Sequence, residues 1–281
     1  MLKKLLVLQS DFGLSDGAVA AMIGVAHEVD IDLKIYDLTH DIEPYNLWDA
    51  SYRLFQTVEY WPEGTVFISV VDPGVGSNRK SVVAKTKYGH YIVTPDNGSL
   101  THLKRYVGIE QIREIEEDYH RRADSHYSHT FHGRDIFAYT GAKLASGKIK
   151  FEDVGKELSV ENIVELDLGP VIKSKDSIKG NIDILDVRFG SLWTNITRED
   201  FVSMGFKYGD IIEVLIKNNS IIAYNNRISY GKSFADVYVS EPIIYVNSLL
   251  RMAVAINQGN FAKAYNIGTG INWTIEFKKI P

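Results

Sequence analysis

Asp72 and Arg79 stand seven positions apart in "SVVDPGVGSNRKSV", residues 69–82. Thr65 to Val71 is rich in the β-branched and aromatic residues that suit a strand. Asp72-Pro73-Gly74 then stops the ladder, because Pro has no N–H to give and Gly tolerates a left-handed backbone. A carboxylate delivered on such a turn reads either as a structural corner or as a catalytic group held at a strand tip. An arginine follows at position 79, just before the apolar run Ser81 to Ala84, and raises the same question. Gly74-Val75-Gly76 resembles part of a phosphate loop, but position 79 is Arg where a third glycine belongs, and no Gly-Lys-Ser/Thr follows.

Other candidates lie at loop–element junctions. Asp11, in "SDFG", falls where a first strand meets a first helix; it can bind a ribose diol or serve as a turn or N-cap residue. Asp16, before Gly17, has the character of an N-cap. "HYSHTFHGRD" spaces His126, His129 and His132 three apart. Histidine runs can bind metal, but this spacing scatters the rings on a strand and no H-E-x-x-H is present. His132 opens a helical segment, where it is placed to act as an acid, a base or a hydrogen-bond donor. In "LDVRFGSLWTNI", Phe189 and Trp193 are either the walls of a slot for a planar base or core aromatics of a strand. Asp186 could hold an ammonium group.

The elements that must position these groups fall into two halves. Strands over 5–8, 34–38 and 65–71 alternate with helices over 16–29 and 46–60, an order that predicts a parallel sheet with right-handed crossovers. Residues 81–94 predict a hairpin around Tyr88-Gly89-His90, and 99–106 and 135–146 predict helices. From Ile178 onward, short β-rich runs, among them "SFADVYV", predict a smaller β-sandwich or barrel. Residues 157–177, with Gly169-Pro170, read as a linker. The domains expected are 1–165 and 171–281.

Composition narrows the function. The chain has 281 residues, 31 Lys and Arg against 36 Asp and Glu, and a net charge of −5, which gives a nucleic-acid partner no electrostatic support. It contains no cysteine, which excludes disulfides, Cys-ligated zinc and a thiol nucleophile. No stretch approaches the ~18 apolar residues of a membrane span. The apolar N-terminus is short, ends at Gln9-Ser10-Asp11 without a small-residue cleavage site, and reads as a first strand of a cytoplasmic protein.

The ordered pieces "SDFGLSD", "DLTH", "WPEGTVFISVVDPGVGS", "PDNGSL", "TFHGRD", "FGSLWTNI" and "YVNS…AINQGNFAK" span nearly the whole chain. Together they resemble the S-adenosylmethionine hydrolases, also called SAM hydroxide adenosyltransferases, whose relatives include the fluorinase and chlorinase enzymes. The resemblance implies an α/β protein: an N-terminal Rossmann-like domain with a parallel sheet, then a C-terminal β-barrel. It implies a homotrimer with active sites between subunits, S-adenosylmethionine (SAM) or adenosine as ligand, and no cofactor or metal. It implies that Asp72, Arg79 and His132 are the catalytic set that polarises water, with His132 a candidate proton acceptor. It places Asp11 on the ribose hydroxyls, Asp16, Asp186 and Ser248 around the methionine end, and Phe189, Ser191 and Trp193 around adenine. Ser191 stands where the family often has Asn, and Leu249-Leu250 where smaller or polar residues are common. The expected reaction is hydrolysis of SAM to adenosine and methionine. A halogenating relative, a non-catalytic adenosine or SAM sensor, and a metal hydrolase built on the histidine run are the alternatives. Ionised Asp72 would repel a halide but attract a water hydrogen, and Val75 and Gly133 offer no hydroxyl.

Overall fold

The computed structural model describes residues 5–280. The chain divides into two compact units, Met1–Leu166 and Asp167–Pro281.

The first unit is built on β1 (Leu6–Ser10), β2 (Ile35–Thr39), β3 (Val66–Val70), β4 (Ser81–Thr86), β5 (Tyr91–Pro95), β6 (Ile109–Glu114) and β7 (Glu157–Leu158), in spatial order β2-β1-β3-β5-β4-β6-β7. β2, β1, β3 and β5 run parallel, while β4, β6 and β7 add an antiparallel half. The parallel half follows from the alternating helices α1 (Ala18–Val29) and α2 (Leu47–Val58). All five β1 residues are buried, as expected of a strand covered on both faces. Leu6, Leu8, Ile68 and Val70 pack on Met22 and Ala26 of α1 and on Phe137 and Ala142 beyond it. Gln9, on the other side of the pleat, donates to the Ala50 carbonyl of α2 at 3.0 Å. Asn46 caps α2, its Oδ1 accepting from the Asp49 amide at 3.0 Å, a contact worth about 1 kcal/mol.

The short helices α3 (Thr101–Tyr106) and α4 (Glu117–His120) and the helix α5 (Tyr139–Ser146) complete this unit. The expected hairpin over 81–94 is β4–β5. The helix expected from Asp135 instead starts with a π-helical stretch, Gly133–Ala138, that runs into α5. Wide turns of this kind concentrate at functional sites, and here the turn directly follows His132. The segment read as a linker begins inside this sheet, because Glu157 and Leu158 pair with β6.

The second unit comprises β8 (Ile172–Lys173), β9 (Ser177–Leu185), β10 (Leu192–Thr197), β11 (Ile211–Asn218), β12 (Ile221–Tyr230), β13 (Pro242–Val246), β14 (Arg251–Ile256) and β15 (Trp273–Lys279), with α6 (Arg198–Ser203) and α7 (Phe261–Tyr265). The order β10-β14-β13-β12-β11-β15-β9, with β9 also paired to β10, closes a seven-stranded barrel, and β8 extends β9. Ile182, Ile196, Val214, Ile228, Val254 and Phe277 fill it. "SFADVYV" is not a strand. Ser233 and Asp236 cap a single helical turn, Phe234–Asp236, with Asp236 Oδ2 accepting from the Lys232 amide at 2.7 Å. This local side-chain bonding outcompetes a ladder.

Candidate active site

The sheet explains why Asp11 and Asp72 share one edge. β1 and β3 are parallel neighbours in the register Ser10 to Val70, so the residues leaving both strands emerge side by side. Ligands of such sheets bind at these carboxyl ends. Beyond β3 the chain makes consecutive turns, Val75 N–H to the Asp72 carbonyl at 3.2 Å and Ser77 N–H to the Gly74 carbonyl at 3.0 Å. Gly76 sits at φ 78°, a conformation glycine adopts at no steric cost. The turns return Arg79 to Asp72.

The contact is bidentate. Arg79 Nε lies 3.1 and 3.0 Å from Asp72 Oδ1 and Oδ2, and Nη2 lies 2.7 Å from Oδ2. The two side chains are only 9% and 5% exposed. Arg79 Nη2 also donates to His132 Nδ1 at 2.9 Å. Guanidinium has no acceptor, so Nδ1 is the unprotonated nitrogen and the ring proton is on Nε2. Arg121 Nη2 faces that second nitrogen at 3.5 Å. Burial, then the Arg79 guanidinium, push the His132 imidazole below its ordinary value; Arg121 adds to this, and Glu117 and Asp72 oppose it. His132 is therefore held neutral: it accepts from Arg79 at Nδ1, and its Nε2 side faces the second guanidinium, Arg121, without accepting from it.

Asp72 and His132 line a cleft of about 360 Å³ together with Asp11, Phe12, Tyr45 and Gly133. Asp11 Oδ2 accepts from the Tyr45 amide at 2.9 Å, which fixes the carboxylate and leaves Oδ1 without that bond. Phe12 meets Phe131 edge to face, 5.7 Å between centroids, joining the loop after β1 to the one that carries His132. Gly133 suits this close approach: a Cβ there would lie 3.2 Å from the Phe12 ring, which would have to give by a few tenths of an ångström. Asp16 is not in this cleft: it is exposed, and its Oδ1 accepts from the Ala18 amide at 2.9 Å at the start of α1.

In the second unit, Asp186 Oδ1 accepts from the Arg188 and Phe189 amides, both at 3.0 Å. This turn presents Phe189, which is 69% exposed. Gly190 follows at φ 64°, where a Cβ would fall 2.0 Å from Asn260 Oδ1. Ser191 and Trp193 are buried, and the Trp193 indole donates to the Tyr245 hydroxyl at 3.2 Å. The barrel thus brings Asp186, Phe189, Ser191 and Trp193 together. Ser248 is exposed in the β13–β14 turn, next to the far end of β10, where Thr197 pairs with Arg251.

The sequence reading missed Glu117, Arg121, Ser81 and Tyr45. Glu117 and Arg121 bond at i, i+4, and that spacing just ahead of the histidine run was the available signal. Among the described residues, no group of three or more His, Asp or Glu side chains is arranged to hold a metal ion, and no helix is long and apolar enough to cross a membrane.

The N-terminal domain model of the SAM hydroxide adenosyltransferases matches residues 6–155, and their C-terminal domain model matches residues 180–274. The chain belongs to the SAM hydroxide adenosyltransferase family. Among its relatives, the (R)-S-adenosyl-L-methionine hydrolase of Methanocaldococcus jannaschii is 32% identical, over 94% of this chain and 92% of that one. The fluorinase of Actinopolyspora mzabensis is 26% identical over 96% of both chains. The crystal structure of a Thermotoga maritima protein superimposes with a TM-score of 0.89 at 31% identity, covering 98% of this chain and all of that one. A SAM hydroxide adenosyltransferase of this fold carries its acidic and aromatic candidates in both units.

Proposed function

We propose that this family member hydrolyses SAM to adenosine and methionine, with the epimer of R configuration at sulfur as its preferred substrate. The carrying observation is the Asp72–Arg79–His132 set, of which Asp72 and His132 line a cleft together with Asp11. The hydrolase names of relatives at about the same length support the reaction, and their (R) prefix supports the epimer.

An ionised carboxylate offers about four acceptor sites. Arg79 occupies one on Asp72 Oδ1 and two on Oδ2, which leaves a site on Oδ1 for a water hydrogen. The water oxygen forms a bond to the 5′ carbon as the bond from that carbon to sulfur breaks. The electron pair goes to sulfur, the sulfonium becomes a neutral thioether, and one proton leaves the new hydroxyl for solvent. Because the leaving group is neutral, in-line placement of water supplies much of the rate. Asp72 orients the water, and Arg79 fixes Asp72. His132 is committed as an acceptor to Arg79, so it holds the arginine rather than collecting the proton. Asp11 takes the ribose hydroxyls, Phe189, Ser191 and Trp193 the adenine, and Asp16, Asp186 and Ser248 the methionine end. The working form is a homotrimer with sites shared between subunits. The exposure of Phe189 in the single chain supports a site completed by a neighbour.

The test is incubation of purified protein with each sulfur epimer of SAM and separation of the products. Adenosine and methionine in equal amounts, faster from the R epimer, are expected. A 5′-halogenated nucleoside in the presence of halide, or no turnover of either epimer, would overturn the proposal.

A further inference from the structure

Arg79 Nε and Nη2 serve Asp72 and His132, and the third guanidinium nitrogen, Nη1, turns elsewhere. It donates to Ser81 Oγ at 2.7 Å, and Ser81 Oγ in turn donates to Glu117 Oε1 at 2.8 Å. The other carboxylate oxygen of Glu117 accepts from Arg121 Nη2 at 3.2 Å. Arg121 is the residue whose guanidinium faces His132 Nε2, and its Nη1 has no partner among the described residues. One carboxylate therefore reaches both guanidinium groups that flank His132, one directly and one through a buried serine.

We propose that Glu117 is a positioning residue for the water-holding set, acting on Arg79 through Ser81 and on His132 through Arg121. Three features make this more than a surface ion pair. Ser81, the connecting residue, is 2% exposed, so its hydroxyl has no solvent alternative if Glu117 is lost. The charges balance, with Asp72 and Glu117 facing Arg79 and Arg121; removing Glu117 leaves a net positive charge around a neutral imidazole. The chain of bonds also passes through separate elements, from the turn after β3 to the start of β4 and on to α4, so it fixes the arginine against the sheet. The groups facing His132 are Arg79, Arg121, Glu117 and Asp72, with the His129 ring 6.4 Å away. Of these, Glu117 is the anion whose role the catalytic set does not already explain. Its negative charge favours protonated His132, so its removal moves His132 titration to lower pH.

As it concerns turnover, this inference rests on the proposed hydrolysis, and its test therefore has two arms. Glu117→Gln keeps an oxygen that accepts from Ser81 but removes the charge, and Glu117→Asp keeps the charge. In the kinetic arm, Glu117→Gln lowers kcat by about 10-fold to 10²-fold with KM unchanged, the scale of a misplaced reacting group, and Glu117→Asp recovers most of the loss. In the second arm, NMR of the histidine rings shows His132 of Glu117→Gln titrating at lower pH than in the wild type, at an unchanged unfolding temperature. Wild-type kcat in Glu117→Gln, or an unshifted His132 titration, overturns the inference. If the wild type leaves SAM intact, the hydrolase reading falls, and the NMR arm alone supports or overturns the coupling of Glu117 to His132.

Discussion

Replacing Asp72 by Asn tests the carboxylate on its turn. The amide keeps the shape but offers one acceptor oxygen, and its NH2 points hydrogens at a guanidinium that has only hydrogens to give. Three N–H contacts of 2.7–3.1 Å are affected. With side-chain exposures of 9% and 5%, solvent screens little of the loss. Breaking a buried ion pair by removing one partner costs about 3–5 kcal/mol. Arg79 keeps Ser81, His132 and the face of Phe137, 5.3 Å from the ring centroid, so the fold is expected to survive with a loss toward the lower end of that range. The rate effect is a separate quantity: losing a positioned group at the reacting water costs about 10²–10⁴ in turnover, which is roughly 3–5 kcal/mol of barrier at about 1.4 kcal/mol per decade. The assay is adenosine release from SAM, followed chromatographically, alongside adenosine affinity and thermal unfolding. Slowed turnover with retained adenosine binding is expected. Wild-type turnover in Asp72→Asn would refute the assignment.

Asp11→Ala is expected to weaken adenosine and SAM alike by roughly 1.5–3 kcal/mol, the value of a hydrogen bond to a charged group; unchanged adenosine affinity by calorimetry would place the ribose elsewhere. His132 has its folded value pushed below its ordinary 6.5, so between the two values the unfolded state binds more protons and stability rises with pH. Its contribution is present above 6.5 and is lost as pH falls through the lower folded value. His132→Asn should therefore show a flatter fall of unfolding temperature on the acid side than the wild type, and an identical pH profile would contradict the neutral assignment. Gly190→Ala must take φ 64° and move Asn260 away; the left-handed backbone alone costs about 1–2 kcal/mol. Lower thermal stability with disturbed Phe189 presentation is expected, and wild-type stability would show that the turn relaxes freely.

The pairing of Asp72 with Arg79 was legible because both lie on one strand–turn–strand path, where local chemistry limits the geometry. The closeness of Asp11 and Asp72 followed from the β–α alternation, which makes β1 and β3 parallel neighbours. Glu117 was not legible, because its link to Arg79 runs through Ser81, 36 positions away in sequence, and only the antiparallel half of the sheet brings them together. β6 and β14 were missed; β6 is six residues long, with only Ile109 and Ile112 buried. "SFADVYV" carried strand composition but a stronger local capping pattern. Asp16 is not the N-cap its position before Gly17 suggested: Gly17 holds that place without a side-chain cap bond, and Asp16, one residue further out, accepts from the Ala18 amide in a local turn. Tyr45 reaches Asp11 through a backbone amide, which side-chain chemistry in the sequence cannot announce.

The origin of the new 5′ oxygen tests the central claim most directly. SAM is incubated with the protein in oxygen-18 water, without and with excess chloride or fluoride, and the nucleoside products are resolved by mass. Adenosine carrying the label at its 5′ oxygen as the main product under every condition is predicted. Unlabelled adenosine, or appreciable 5′-halo-5′-deoxyadenosine, would contradict attack by a water held on Asp72.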